Sequence, residues 1–169
     1  MAVKPLLILG IGNDLLSDDG IGIKLIEDLR PMLENPLVEF KTASGGGLEI
    51  VELMQDYNDV IILDAIKTGQ GVPGEIYTFS LDDFKETLHI SNFHDISFLI
   101  ALEFGKQSGL KLPENIQIVA IEIVEDMYFS EYFSKEIALQ YNKIKVKIQE
   151  FLQKQLEIKY MNSSTSHTV

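Results

Sequence analysis

An apolar run, Pro5 to Leu9, passes directly into Gly10-Ile11-Gly12-Asn13-Asp14-Leu15-Leu16-Ser17-Asp18-Asp19-Gly20-Ile21-Gly22. A continuous apolar run of this length reads as a strand buried on both faces. Beyond Gly20, the residues Ile21, Leu25, Ile26, Leu29 and Leu33 recur at helical spacing. The chain therefore opens as strand, glycine-rich turn, helix. Such turns commonly cradle a phosphate. This one carries Asp14, Asp18 and Asp19, and three carboxylates repel a phosphate. The loop is better suited to a cation or to proton transfer.

The same alternation continues. Val38 to Thr42 reads as a second strand, followed by Gly45-Gly46-Gly47 and a helix containing Leu48, Val51 and Met54. Val60 to Leu63 is a third strand, closed by Asp64. A turn-rich connector, Gly69 to Gly74, leads to a fourth strand, Glu75 to Phe79, and so short a link predicts a hairpin. A polar stretch with Asp82, Asp83 and His89 precedes a helix from Phe93 to Lys106, with Ile96, Leu99, Ile100 and Leu102 as its apolar positions. Ile116 to Ile123 is a fifth strand. A long helix follows from about Ser134 to Glu157, with Ile137, Leu139, Ile144, Ile148 and Leu152 among its apolar positions.

Strands alternating with helices predict an α/β fold. The expected architecture is a three-layer sandwich, with a mainly parallel, twisted, five-stranded sheet and helices on both faces. One domain spans residues 1–160, and the Ser/Thr-rich 161–169 is expected to be a disordered tail.

The net charge of −12 argues against nucleic acid and anionic membrane as partners. No apolar run approaches the ~20 residues that span a bilayer. The N-terminus has a single Lys4 before the first strand and does not read as a signal peptide. There is no cysteine, which removes thiolate catalysis and zinc–thiolate sites and suits a reducing, cytoplasmic setting.

Ligands in open α/β sheets sit beyond the carboxyl ends of the strands. The Asn13–Asp19 loop, Asp64 and His94 are expected to converge there, with the Thr42–Gly47 turn nearby. Two carboxylates and an imidazole are a competent set for a divalent metal such as nickel, zinc, copper or iron. Each residue also has an ordinary explanation. Asp18 or Asp19 suits a helix N-cap, Asp64 a turn carboxylate, and His94 a loop histidine. Asn13 suits a local turn bond, or the orientation of a substrate carbonyl. The dinucleotide fingerprint fails because position 15 is Leu, and neither a Walker A motif nor a G-x-S-x-G elbow is present.

The loop from Gly10 to Gly22 resembles the signature of the hydrogenase maturation endopeptidases, G-x-G-N-x-L-x-x-D-[DE]-G-x-G. Thr42-Ala43-Ser44-Gly45-Gly46-Gly47-Leu48, Leu63-Asp64-Ala65-Ile66, Pro73-Gly74-Glu75-Ile76 and His94-Asp95 resemble the family's later segments in the same order. The resemblance implies a twisted sheet of about five strands between helices. It implies an endopeptidase that clips the C-terminal extension from the precursor of a nickel–iron hydrogenase large subunit after nickel insertion. The family's metal contacts map onto Asp19, Asp64 and His94. Nickel would then arrive with the precursor, Asp18 or Asp19 would serve as general base, and Asn13 would complete the catalytic loop. The expected protein is a monomer whose partner is that precursor. A non-hydrolytic nickel-sensing or chaperone module is the alternative.

Overall fold

β1 (Leu6–Ile11) is apolar at every position because both of its faces are covered. The computed structural model describes residues 5–86 and 93–165, and their side chains except those of 84–86, 93–96, 160 and 162–165. Leu6 and Ile8 enter one core, while Leu7, Leu9 and Ile11 enter the other. This is the two-residue alternation of a strand between two helical layers.

The sheet order is β2-β1-β3-β5-β4. β2 (Val38–Ala43), β1, β3 (Asp59–Ile66) and β5 (Asn115–Glu122) are parallel, and β4 (Ile76–Ser80) is antiparallel to β5 at the edge. α1 (Ile21–Leu33) and α5 (Lys135–Thr165) cover one face, with Leu25, Leu29, Ile144 and Ile148 in a shared core. α2 (Gly47–Met54) and α4 (Phe93–Gln107) cover the other, with Ile50, Met54, Phe98 and Leu102. The expected three-layer α/β sandwich is what forms.

Several local expectations are corrected. β3 and β4 do not make a hairpin, because β5 lies between them. β5 satisfies the free edge of β3 along its whole length, from Asp59↔Asn115 to Ile66↔Glu122. The connector instead crosses the end of β5, where Gly74 N donates to Glu122 O at 2.8 Å. The same pairing lengthens β3, so Asp64 sits inside the strand opposite Ala120 rather than closing it. A short helix, α3 (Leu81–Glu86), occupies part of the polar stretch, and its start is capped by Ser80 Oγ accepting from Asp83 N. His89 lies outside the described residues.

α5 runs to Thr165, so 161–165 are helical where a disordered tail was expected, and 166–169 lie outside the described residues. Between Lys135 and Thr165 there is no Gly or Pro to stop the helix. Leu48 is exposed, and so are Ile100 and Leu139, two of the apolar positions of their helices. Each lies two residues from a buried partner (Ile50, Phe98 and Ile137). Two residues turn a helix by about 200°, which puts the pair on opposite sides.

The chain leaves β1 through α1 to β2 on one side, and returns through α2 to β3 on the other. The strand order therefore reverses between β1 and β3. The crevice at the carboxyl ends of these two strands is the switch point where such sheets place their ligands.

Candidate active site

The switch point is built by glycine packing. After Ile11 the chain makes a turn, then a 3-10 turn at Ser17–Gly20, then α1. A Cβ on Gly22 would collide with the carbonyl oxygens of both Leu63 and Ile11. A glycine here lets the first turn of α1 lie directly on the ends of β3 and β1. Gly12 has φ +138, and a Cβ on it would strike the carbonyl oxygen of Asp19. These close approaches bring the turn bearing Asp19 down against β3, the strand that bears Asp64.

Asp19 is only 5% exposed, and its Oδ2 accepts from Asn13 N at 2.8 Å. Asn13 Oδ1 accepts from Leu15 N at 3.0 Å, so the asparagine holds the turn as an Asx motif, one of its two expected roles. Asp64 is partly buried, and its Oδ1 accepts from Ala65 N at 2.7 Å. Asp14 is exposed on the outside of the turn.

His94 is the second residue of α4, not part of a loop before it, and its side chain lies outside the described residues. The position of its helix is described one turn further on. Ser97 Oγ accepts from Gly47 N at 3.2 Å, and a Cβ on Gly47 would collide with the Ser97 carbonyl. That contact fastens α4 to the start of α2, just beyond the carboxyl end of β2. Among the described residues, no three His, Asp or Glu side chains form a group able to hold a metal.

Asp18 behaves differently from its neighbour. It is fully buried, and four donors converge on its carboxylate. Oδ1 accepts from Ser134 N at 2.7 Å. Oδ2 accepts from Ser134 Oγ at 2.8 Å, Glu125 N at 3.0 Å and Val124 N at 3.2 Å. A carboxylate with its acceptor sites filled in this way is a structural anchor. Of the two acids expected as general base, Asp18 is thus the one bound on both carboxylate oxygens by the segment beyond β5. Ser17, beside it, is held at φ 51 by Ser17 N donating to Ser130 O at 2.8 Å and Ser17 Oγ donating to Tyr132 O at 3.1 Å. A non-glycine residue in the left-handed region is strained, and such strain concentrates at functional loops.

Two features of the rim were not singled out from sequence. Glu122, 2% exposed at the end of β5, accepts from Thr68 N and Thr68 Oγ1, both at 2.9 Å, and so pins the connector after β3. The signal was available, since an acid closing an apolar strand also marked Asp64. Lys67 pairs with Asp126 at 2.7 Å, and that carboxylate holds the lysine above its usual pKa. The second missed feature is the segment 124–132, which the Leu16–Ser130 bridge joins to the acidic turn.

The fold is that of a small α/β/α domain with a glycine-packed acidic turn at its switch point. The hydrogenase maturation protease family matches residues 23–153, a stretch that includes Asp64 and His94 and begins just after Asp19. The chain belongs to that family. It is 36% identical over 70 residues to the hydrogenase 2 maturation protease of Escherichia coli K12, covering 41% of this chain and 43% of that protein. It is 31% identical over 106 residues to the hydrogenase expression/formation protein HupD of Rhodobacter capsulatus, covering 56% and 50%. These matches span about half the length of the curated relatives or less. The fold superposes on the hydrogenase maturating endopeptidase HybD of E. coli with a TM-score of 0.73, at 20% identity, over 90% of this chain and 94% of that one.

Proposed function

We propose that this protein is an endopeptidase that removes the C-terminal extension from the nickel-loaded precursor of a nickel–iron hydrogenase large subunit. One observation carries the reading: in a chain of the hydrogenase maturation protease family, Gly22 packs onto β1 and β3 and thereby delivers the Asp19 turn to the strand of Asp64. His94, on the helix fastened to α2 at Gly47, is the third member of the proposed set.

In this proposal nickel is part of the substrate. The precursor presents its bound ion to Asp19, Asp64 and His94, a donor set of two carboxylates and an imidazole. Docking the ion fixes the scissile peptide beside the acidic turn, so positioning supplies much of the catalysis. Asp19 takes a proton from water as hydroxide adds to the peptide carbonyl. The C–N bond then breaks and the proton passes to the leaving nitrogen, giving a new carboxylate and a new amine. Asp18, in its cage of four donors, holds the turn.

A precursor without nickel lacks the ion that docks, so cleavage reports metal loading. The proposal sets the enzyme in the cytoplasm as a monomer. No helix among the described residues is long and apolar enough to cross a membrane. Intact-mass spectrometry of nickel-loaded and metal-free precursor after incubation tests the reading. The loaded form should lose a C-terminal peptide and the metal-free form should not. Complex formation with unchanged mass would make the protein a nickel-sensing binder instead.

A further inference from the structure

In the segment after β5, two of the three acids turn back on the protein, while Glu131 is exposed with the apolar side chains. Glu125 turns back on its own chain, with its Oε1 accepting from Met127 N at 2.8 Å and Tyr128 N at 3.0 Å. Asp126 is taken up by Lys67. Met127, Tyr128, Phe129 and Tyr132 are left facing solvent, at 78%, 68%, 79% and 81% exposure. Leu15, on the catalytic loop, is half exposed beside them, with its carbonyl accepting from Ser130 N at 3.0 Å.

The backbone that carries these side chains is tethered. Ser130 Oγ accepts from Tyr132 N at 3.0 Å. Asp18 N donates to Glu125 O at 3.1 Å, while the Asp18 carboxylate clasps both ends of the segment, at Val124–Glu125 and at Ser134. Exposed aromatic and methionine side chains on a tethered backbone are the composition of an interface core, and the backbone has little ordering entropy left to lose on binding.

Continuity with the catalytic loop selects the occupant. Leu15, Leu16, Ser17 and Asp18 all bond to the segment, which also reaches Lys67 through Asp126, so a partner seated on it lies against the turn that carries Asp19. A second copy of this chain is disfavoured because each copy carries a net charge of −12. We infer that residues 124–132 form a docking arm for an apolar patch on the body of the protein substrate, clasped to the catalytic turn by Asp18. The inference rests on the proteolytic reading above and names the part of the enzyme that recognises the folded substrate rather than its scissile tail.

The test compares the wild-type chain with Tyr128→Ser/Phe129→Ser and with Tyr132→Ser, using nickel-loaded large-subunit precursor. Steady-state cleavage gives KM and kcat, biolayer interferometry gives Kd, and thermal melting checks the fold. Loss of interface aromatics should raise KM and Kd by about tenfold or more. The rate constant kcat should stay within about threefold, because uniform binding is lost and transition-state contacts are not. Unchanged KM and Kd in both variants, with the wild type active, would overturn the docking arm and leave the protease reading standing. A wild type that binds without cutting, and variants that fail to bind, would support the arm and sink the protease reading. A wild-type dimer that the substitutions dissociate would assign the cluster to a second copy and overturn the inference.

Discussion

Gly22 lies so close to Leu63 that no side chain fits between its Cα and the Leu63 carbonyl oxygen. That contact sets the distance from the Asp19 turn to the strand of Asp64, and Gly22→Ala tests it. The new Cβ meets backbone atoms of both β3 and β1, which cannot rotate away as a side chain could. Overpacking of this kind costs about 1–3 kcal/mol. Urea unfolding should show the loss, and cleavage should fall further than stability because the turn is displaced.

Asp19→Asn and Asp64→Asn should separate chemistry from folding. Each keeps the volume and one acceptor oxygen, so Asn13 N and Ala65 N retain a partner. Removing a general base or an ion-docking carboxylate should lower cleavage about 10²–10⁴-fold. Circular dichroism melts should remain near the wild-type value. Full activity in both variants would remove these carboxylates from the mechanism.

Glu122→Ala should be costly and visible by a second route. It leaves Thr68 N without its buried acceptor, a loss of about 1–3 kcal/mol. The Tyr77 phenol is pushed up to about 12 by burial, its bond to Glu75 and the charge of Glu122. Removing one negative charge favours the phenolate, so Tyr77 should ionise at lower pH. Spectrophotometric titration of tyrosinate absorbance, with Tyr77→Phe as the blank, reads that shift.

The far end of α5 should be sensitive to acid. Lys159 Nζ donates to Asp59 Oδ2 at 2.8 Å, tying the helix to the start of β3. Partial burial works against ionisation of Asp59, but the bonds from Lys159 and Asn115 outweigh it and hold its pKa below 3.8. A carboxylate depressed in the fold contributes stability above its unfolded pKa. That contribution fades as pH falls past 3.8 and through the lower folded value. Lys159→Met should therefore flatten the acid limb of a plot of urea midpoint against pH. An identical limb in the variant would show that this pair does not set it.

The legibility of the sequence differs from one feature to the next. Both faces of β1 could be read from Leu6 to Leu9, because a strand covered on both faces is apolar throughout and the glycine turn that follows ends it at strand length. The acidic turn could be read too, because its glycines and carboxylates are contiguous. The hairpin was misread because pairing follows the best edge in space, and β5, some fifty residues away, fits β3 better than its neighbour in sequence. The exposure of Ile100 and Leu139 is not legible because an apolar residue carries no mark of which side of its helix it occupies.

The amino-acid order alone determined the α/β alternation, the turn at residues 10–22 and its family likeness, since each is a local pattern of period and residue type. Tertiary structure alone decided the different partners of Asp18 and Asp19. The two are adjacent and chemically identical, but the 3-10 turn sends one carboxylate inward to Val124, Glu125 and Ser134 and the other to Asn13. Those inward donors come from residues more than a hundred positions away, and nothing local to the turn announces them.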